Sequence, residues 1–182
     1  LETIKGKNEL WQWTKALIIA ILIAFLIRTF LFTPVIVKGS SMEPTLHNKE
    51  RMIVTKLGEP ERFDIVVFQK SETEDYIKRV IGLPGDRVEY RDDILYINGI
   101  PYEEPYLDTF KEEVDGPLTG SFTLEETAVG SEVVPEGHLF VLGDNRQNSR
   151  DSRHIGAIPM DKVIGTTNIV YFPFKEIKII GK

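Results

Sequence analysis

The chain opens on a run of apolar positions with no polar face. Ala16 to Ile27 reads A-L-I-I-A-I-L-I-A-F-L-I without a break. Arg28 and Thr29 interrupt it, and Phe30-Leu31-Phe32 resume. A helix over 16–32 would rise about 25 Å, close to a hydrocarbon core of about 30 Å. Trp11 and Trp13 stand where indoles favour the membrane interface, and Arg28 can reach outward from one end. Lys5, Lys7 and Lys15 precede the run and favour a cytoplasmic N-terminal side, a bias weakened by Lys38, Lys49 and Arg51 beyond it. Residues 1–14 therefore read as cytoplasmic, 15–33 as a transmembrane signal anchor, and 34–182 as one extracytoplasmic β-rich domain. A cleaved secretory signal and a buried core helix compete with the anchor. T-P-V-I-V-K, which follows the run, lacks a small-x-small cleavage site.

Beyond Pro34 the helical period disappears and short extended runs replace it. Val35–Val37, Arg51–Lys56, Asp64–Gln69, Asp75–Ile81, Arg87–Tyr90, Ile94–Ile97 and Ile100–Tyr102 carry β-branched and aromatic residues between turn signals. Asn98-Gly99 predicts a type I′ hairpin. From 103 to 135 acidic residues, Gly and Pro dominate, which predicts an inserted lobe or long loop. Strand pattern returns at Leu139–Leu142, Val163–Phe172 and Ile177–Ile180. The expected fold is mostly β: an antiparallel sheet or partial barrel behind one N-terminal transmembrane helix.

Composition narrows the function. The 182 residues are 42% hydrophobic and 27% charged, as in a folded domain, with a net charge of −6. That charge gives no support to nucleic-acid binding. There is no cysteine, which removes disulfides, thiolate metal sites and cysteine nucleophiles. Three scattered histidines, His47, His138 and His154, argue against a metal centre, and no metal or cofactor is expected.

Three polar islands carry the candidate chemistry. Gly39-Ser40-Ser41-Met42-Glu43-Pro44-Thr45 puts serine on a tight turn just past the apolar run, where its hydroxyl and its own N–H can face a substrate. The bland reading is a linker turn. Tyr76-Ile77-Lys78-Arg79-Val80-Ile81 places two cations inside a β-branched strand, on opposite faces. An inward-facing Lys78 would lose charge by desolvation and could take a proton from serine; the bland reading is an edge strand with both cations in water. Gly143 to Arg153, G-D-N-R-Q-N-S-R-D-S-R, is dense enough in Asp, Asn, Ser and Arg for a fixed polar network, or is a solvated charge-paired loop. A serine–histidine mechanism would fall to His154, beside that tract.

In this order and context the three islands resemble the bacterial type I signal peptidases, with a length and single anchor similar to the Gram-positive, Bacillus-like type. The resemblance covers nearly the whole chain. It implies a membrane-bound serine endopeptidase that removes signal peptides from exported preproteins after small residues in an Ala-x-Ala pattern. By that likeness Ser41 is the nucleophile, Lys78 the general base, and Ser149 the hydroxyl that orients the lysine amine. Asp144 and Arg79 match a supporting ion pair, and Asp151 and Arg153 further members of the network. Implied partners are signal peptides, membrane lipid and the export machinery.

One departure stands out: some relatives carry an oxyanion-hole serine where this chain has Gly39. Val35, Val37, Gly39, Met42, Leu46, Tyr76 and Ile77 are the candidate substrate contacts. Two rivals remain: an anchored binding module whose islands are only loops, and a self-cleaving repressor-type enzyme. The anchor, and the lack of a DNA-binding segment in this sequence, speak against the second.

Overall fold

A computed structural model describes residues 2–181. The apolar run lies in one helix, α1 (Glu2–Phe30), which starts well before the expected boundary and stops short of residue 33. Its Glu9–Thr29 portion is long and apolar enough to cross a membrane, and none of it is buried against the protein. At about 1.5 Å per residue those 21 residues rise about 31 Å. A helix apolar on all sides with nothing packed on it suits lipid, not a soluble core.

The chain then turns directly into β1 (Phe32–Ile36). The remaining strands are β2 (Arg51–Thr55), β3 (Ile65–Gln69), β4 (Asp75–Gly82), β5 (Val88–Arg91), β6 (Ile94–Ile97), β7 (Ile100–Tyr102), β8 (Phe122–Thr123), β9 (His138–Leu142), β10 (Ile158–Pro159), β11 (Val163–Phe172) and β12 (Lys178–Ile179). All pairings are antiparallel. The larger sheet runs β1-β2-β11-β3-β4-β9-β10, with β12 added to β11; the smaller runs β7-β6-β5-β8.

Alternation along β3 explains the layering. Ile65 and Val67 enter one apolar cluster with Val37, Met42, Leu46, Met52, Val54 and Val170. Val66 and Phe68 enter another with Val80, Leu139, Val141 and Ile158. The third cluster joins the sheets: Val88, Tyr90, Leu95 and Ile97 of the small one meet Ile81, Phe140 and Leu142 of the large one. Residues 103–135 supply β8, a short helix α2 (Asp108–Glu113) and buried Leu107, Leu118, Leu124 and Val134. The hairpin turn at Asn98-Gly99 has positive φ at both residues, 55° and 80°, as a type I′ turn requires.

Candidate active site

The turn that carries Ser41 follows β1 and passes over the first apolar cluster. Val37, Met42 and Leu46 are buried beneath it and fix it from below. Gly39 has φ of 85°, a left-handed conformation that a side chain would resist. Asn48 Oδ1 accepts from Gly39 N at 3.2 Å. Ser41 N donates to no acceptor among the described residues, which leaves it available to an oxyanion.

β4 brings Lys78 to this turn. Lys78 Nζ and Ser41 Oγ share a hydrogen bond of 2.7 Å, and Nζ also donates to Ile77 O at 3.0 Å. The lysine is only 3% exposed. Burial pulls its pKa down to about 8, against the opposing pull of Asp151 and Asp144. Arg79, next along the strand, is fully buried. Its Nε and Nη2 donate to the two oxygens of Asp144 at 2.9 and 2.8 Å, and Nη1 donates to Phe63 O at 2.9 Å. The guanidinium lies 3.8 Å from the centre of the Tyr106 ring.

The tract after β9 clamps the Ser41 turn. Asn145 N donates to Ser41 O, and Asn145 Nδ2 to Ser40 O, each at 3.1 Å. Thr45 Oγ1 donates to Asp144 Oδ2 at 2.5 Å. Asp151 caps a short helix, α3 (Ser152–Ile155), and accepts from Gly143 N and from both Nε and Nη2 of Arg153. Burial would raise the Asp151 carboxyl; Arg153, then the Gly143 N–H, outweigh it and hold it below its ordinary value. The close packing needs Gly143: a Cβ there would lie 2.2 Å from Ser149 Oγ and 2.4 Å from Ser41 O.

Two site expectations meet a different geometry. Ser149 is buried beside the pair, where its hydroxyl helps hold the Asp151 carboxyl down, and the lysine amine bonds to Ser41 Oγ and Ile77 O instead of to it. Leu46 is no groove wall: it lies wholly inside the apolar cluster below the turn. Val35, Val37, Gly39, Met42, Tyr76 and Ile77 do line a groove of about 930 Å³ that contains Ser41 and Lys78. His154 is exposed, its Nδ1 3.8 Å from Asp151 Oδ1, and makes no bond to Ser41.

A second buried network escaped the sequence reading. Arg146 Nη2 donates to Glu104 Oε1 at 2.6 Å, Nη1 to Tyr90 OH at 2.5 Å, and Nε to Gly143 O at 3.0 Å. Tyr90 and Tyr106 also donate to Glu104 Oε1. Burial alone would raise the Glu104 carboxyl; Arg146 outweighs it and draws it below its ordinary value. Arg146 sits in the polar tract that the sequence singled out, whereas Glu104 is one acid among many in an acidic stretch. No group of three or more His, Cys, Asp or Glu poised for a metal occurs among the described residues.

Comparison with known proteins places this geometry. The family "Signal peptidase, peptidase S26" matches residues 10–172. Signal peptidase I of Bacillus licheniformis is 49% identical over 181 residues, covering 94% of both chains. Signal peptidase IB of Staphylococcus aureus is 41% identical over 180 residues, again covering 94% of each. The crystal structure of a signal peptidase I from Enterococcus faecalis superposes with a TM-score of 0.58 at 46% identity. It covers 60% of this chain and 97% of its own. On these matches the chain belongs to the signal peptidase family, peptidase S26, and is a serine endopeptidase.

Proposed function

We propose that this protein cleaves N-terminal signal peptides from exported preproteins at the membrane surface, with Ser41 as nucleophile and Lys78 as general base. The observation that carries the assignment is the 2.7 Å contact between Ser41 Oγ and a buried lysine amine. Neutral Lys78 takes the hydroxyl proton as Oγ attacks the scissile carbonyl. The Ser41 N–H faces the developing oxyanion. The protonated amine then delivers its proton to the leaving amine, and the acyl-enzyme forms. Water, activated by the same lysine, releases the signal peptide and restores the serine.

Asp144 and Arg79 act through the turn they brace, and Asp151 and Arg153 through the Gly143 backbone. Ser149 fills the space behind Gly143. The substrate lies extended in the groove between residues 33–38 and 73–77. Val35, Val37, Met42, Tyr76 and Ile77 are the walls that the small residues of an Ala-x-Ala pattern meet, and bulkier side chains are rejected there by clash. The anchor crosses the bilayer with its N-terminus cytoplasmic and residues 34–182 outside, so Ser41 stands near the lipid surface where the apolar helix of a signal peptide ends. Lipid and the export machinery are its neighbours there.

Ser41→Ala and Lys78→Ala test the pair. Each should lose preprotein cleavage by at least about a thousandfold while retaining the folded β-domain seen by circular dichroism. Cleavage at the parent rate by either variant would remove that residue from the reaction.

A further inference from the structure

The substrate groove has a direction. Its walls, residues 33–37 and 73–77, lead away from the Ser41–Lys78 pair, and the first of them runs back to the end of α1. With α1 in the bilayer, as proposed above, that side faces the lipid and takes the signal-peptide half of the substrate. At the pair's own end the groove is bounded by Asn148 and Arg150. Asn148 Nδ2 lies 3.4 Å from Ser40 Oγ, which fixes this loop beside the nucleophile. Beyond it opens a second hollow of about 380 Å³, lined by Ser149, Arg150 and His154. Arg150 borders both spaces. A chain passing from the groove over Ser41 reaches this hollow with the residues on the amine side of the scissile bond.

The charges there are one-sided. Arg150 is exposed and has no hydrogen-bond or ion-pair partner among the described residues. The acid next to it, Asp151, is engaged by Arg153 and the Gly143 N–H. The acids that line the groove, Glu74 and Asp75, belong to the wall leading away from Ser41. The amine-side hollow therefore presents a forked, unpaired cation and an imidazole, and a carboxylate is the group that matches a guanidinium fork.

We propose that Arg150, with His154 as the facing wall, forms a subsite for an acidic side chain at the first or second residue of the mature protein. The subsite rests on the assignment of Ser41 and Lys78 as the cleaving pair. It makes the enzyme read both sides of the cut: small residues before it, and negative charge just after it.

The test uses the full-length protein in detergent and one preprotein in three forms, with Glu, Ala or Lys at the second mature position. For each enzyme the Glu/Lys ratio of kcat/KM is taken, so that a partly unfolded variant cancels from the comparison. The parent enzyme should favour Glu over Lys by about two- to fivefold, the range of a partly exposed ion pair. The ratio should shrink as salt is raised from about 0.02 to 0.5 M. Arg150→Glu should invert it, and Lys162→Glu, at an exposed cation outside both spaces, should leave it in place. Cleavage of all three substrates with a ratio near one, or a ratio unchanged by Arg150→Glu, overturns the subsite alone. An equal shift from Lys162→Glu also overturns it, because the effect would then be diffuse charge. Failure of the parent enzyme to cut even the Ala form overturns the cleaving pair and the subsite with it.

Discussion

Burying Lys78 costs the fold stability. Its ammonium is disfavoured by burial, which places its folded pKa near about 8 against 10.5 for the ordinary side chain. The folded state therefore carries a penalty that is complete below about pH 8, fades as pH rises toward 10.5, and is absent above it. About two and a half pKa units correspond to roughly 3 kcal/mol. Lys78→Met removes the penalty and also the bonds to Ser41 Oγ and Ile77 O. The variant should gain about 1–2 kcal/mol at pH 7, seen as a raised melting temperature, and no gain at pH 10.5. Equal gains at both values would mean that the amine is not strained by burial. Type and position marked this pair only as candidates, a serine just past an apolar run and a lysine inside a β-branched strand, and it was the resemblance to signal peptidases that singled them out. The depth of the lysine was not, because period-2 alternation gives two faces without saying which is covered.

Among the elements, the tract between β9 and α3 organises the site. Asp144 receives two hydrogen bonds from Arg79 and one from Thr45, joining β4, the Ser41 turn and this tract at one carboxylate. Asp144→Ala leaves a fully buried guanidinium without its partner, which should cost roughly 3–5 kcal/mol in thermal or urea unfolding. A loss under 1 kcal/mol would contradict so central a role. Sequence density left this tract open between a fixed network and a solvated loop, and it did not give the bonds that matter. Asn145 holds the Ser40 and Ser41 carbonyls through one backbone and one side-chain donor, and nothing in an isolated Asn signals that. Leu46 shows the opposite error: an apolar residue near the nucleophile reads as a pocket wall until the turn is seen to bury it.

At the scale of the whole molecule, two sheets are joined by apolar packing and by one buried ion pair. Arg146 ties Glu104 and Tyr90 of the small-sheet side to the carbonyl of Gly143, whose Cα has no room for a side chain between Ser149 and Ser41. Glu104→Ala strands the Arg146 charge. It should lower stability by about 3–5 kcal/mol, and the paired change Glu104→Leu with Arg146→Met should recover most of that. Urea unfolding of the three proteins checks this, and a double variant no better than the single would show that the pair does not act as a unit. The strand order of the large sheet, with β11 between β2 and β3, was beyond the sequence, since local pattern identifies strands but not their partners. The pairing of Glu104 with Arg146 was hidden for the same reason: 42 positions separate them.

The most direct test is to titrate the Lys78 amine itself. Full-length protein carrying isotope-labelled lysine would be followed by NMR in detergent, with the Lys78 signal assigned by its loss in Lys78→Met. A midpoint near about 8, matched by a cleavage rate that climbs through the same pH, is the predicted result. A midpoint at the ordinary lysine value of 10.5, in a folded and active enzyme, would contradict the account.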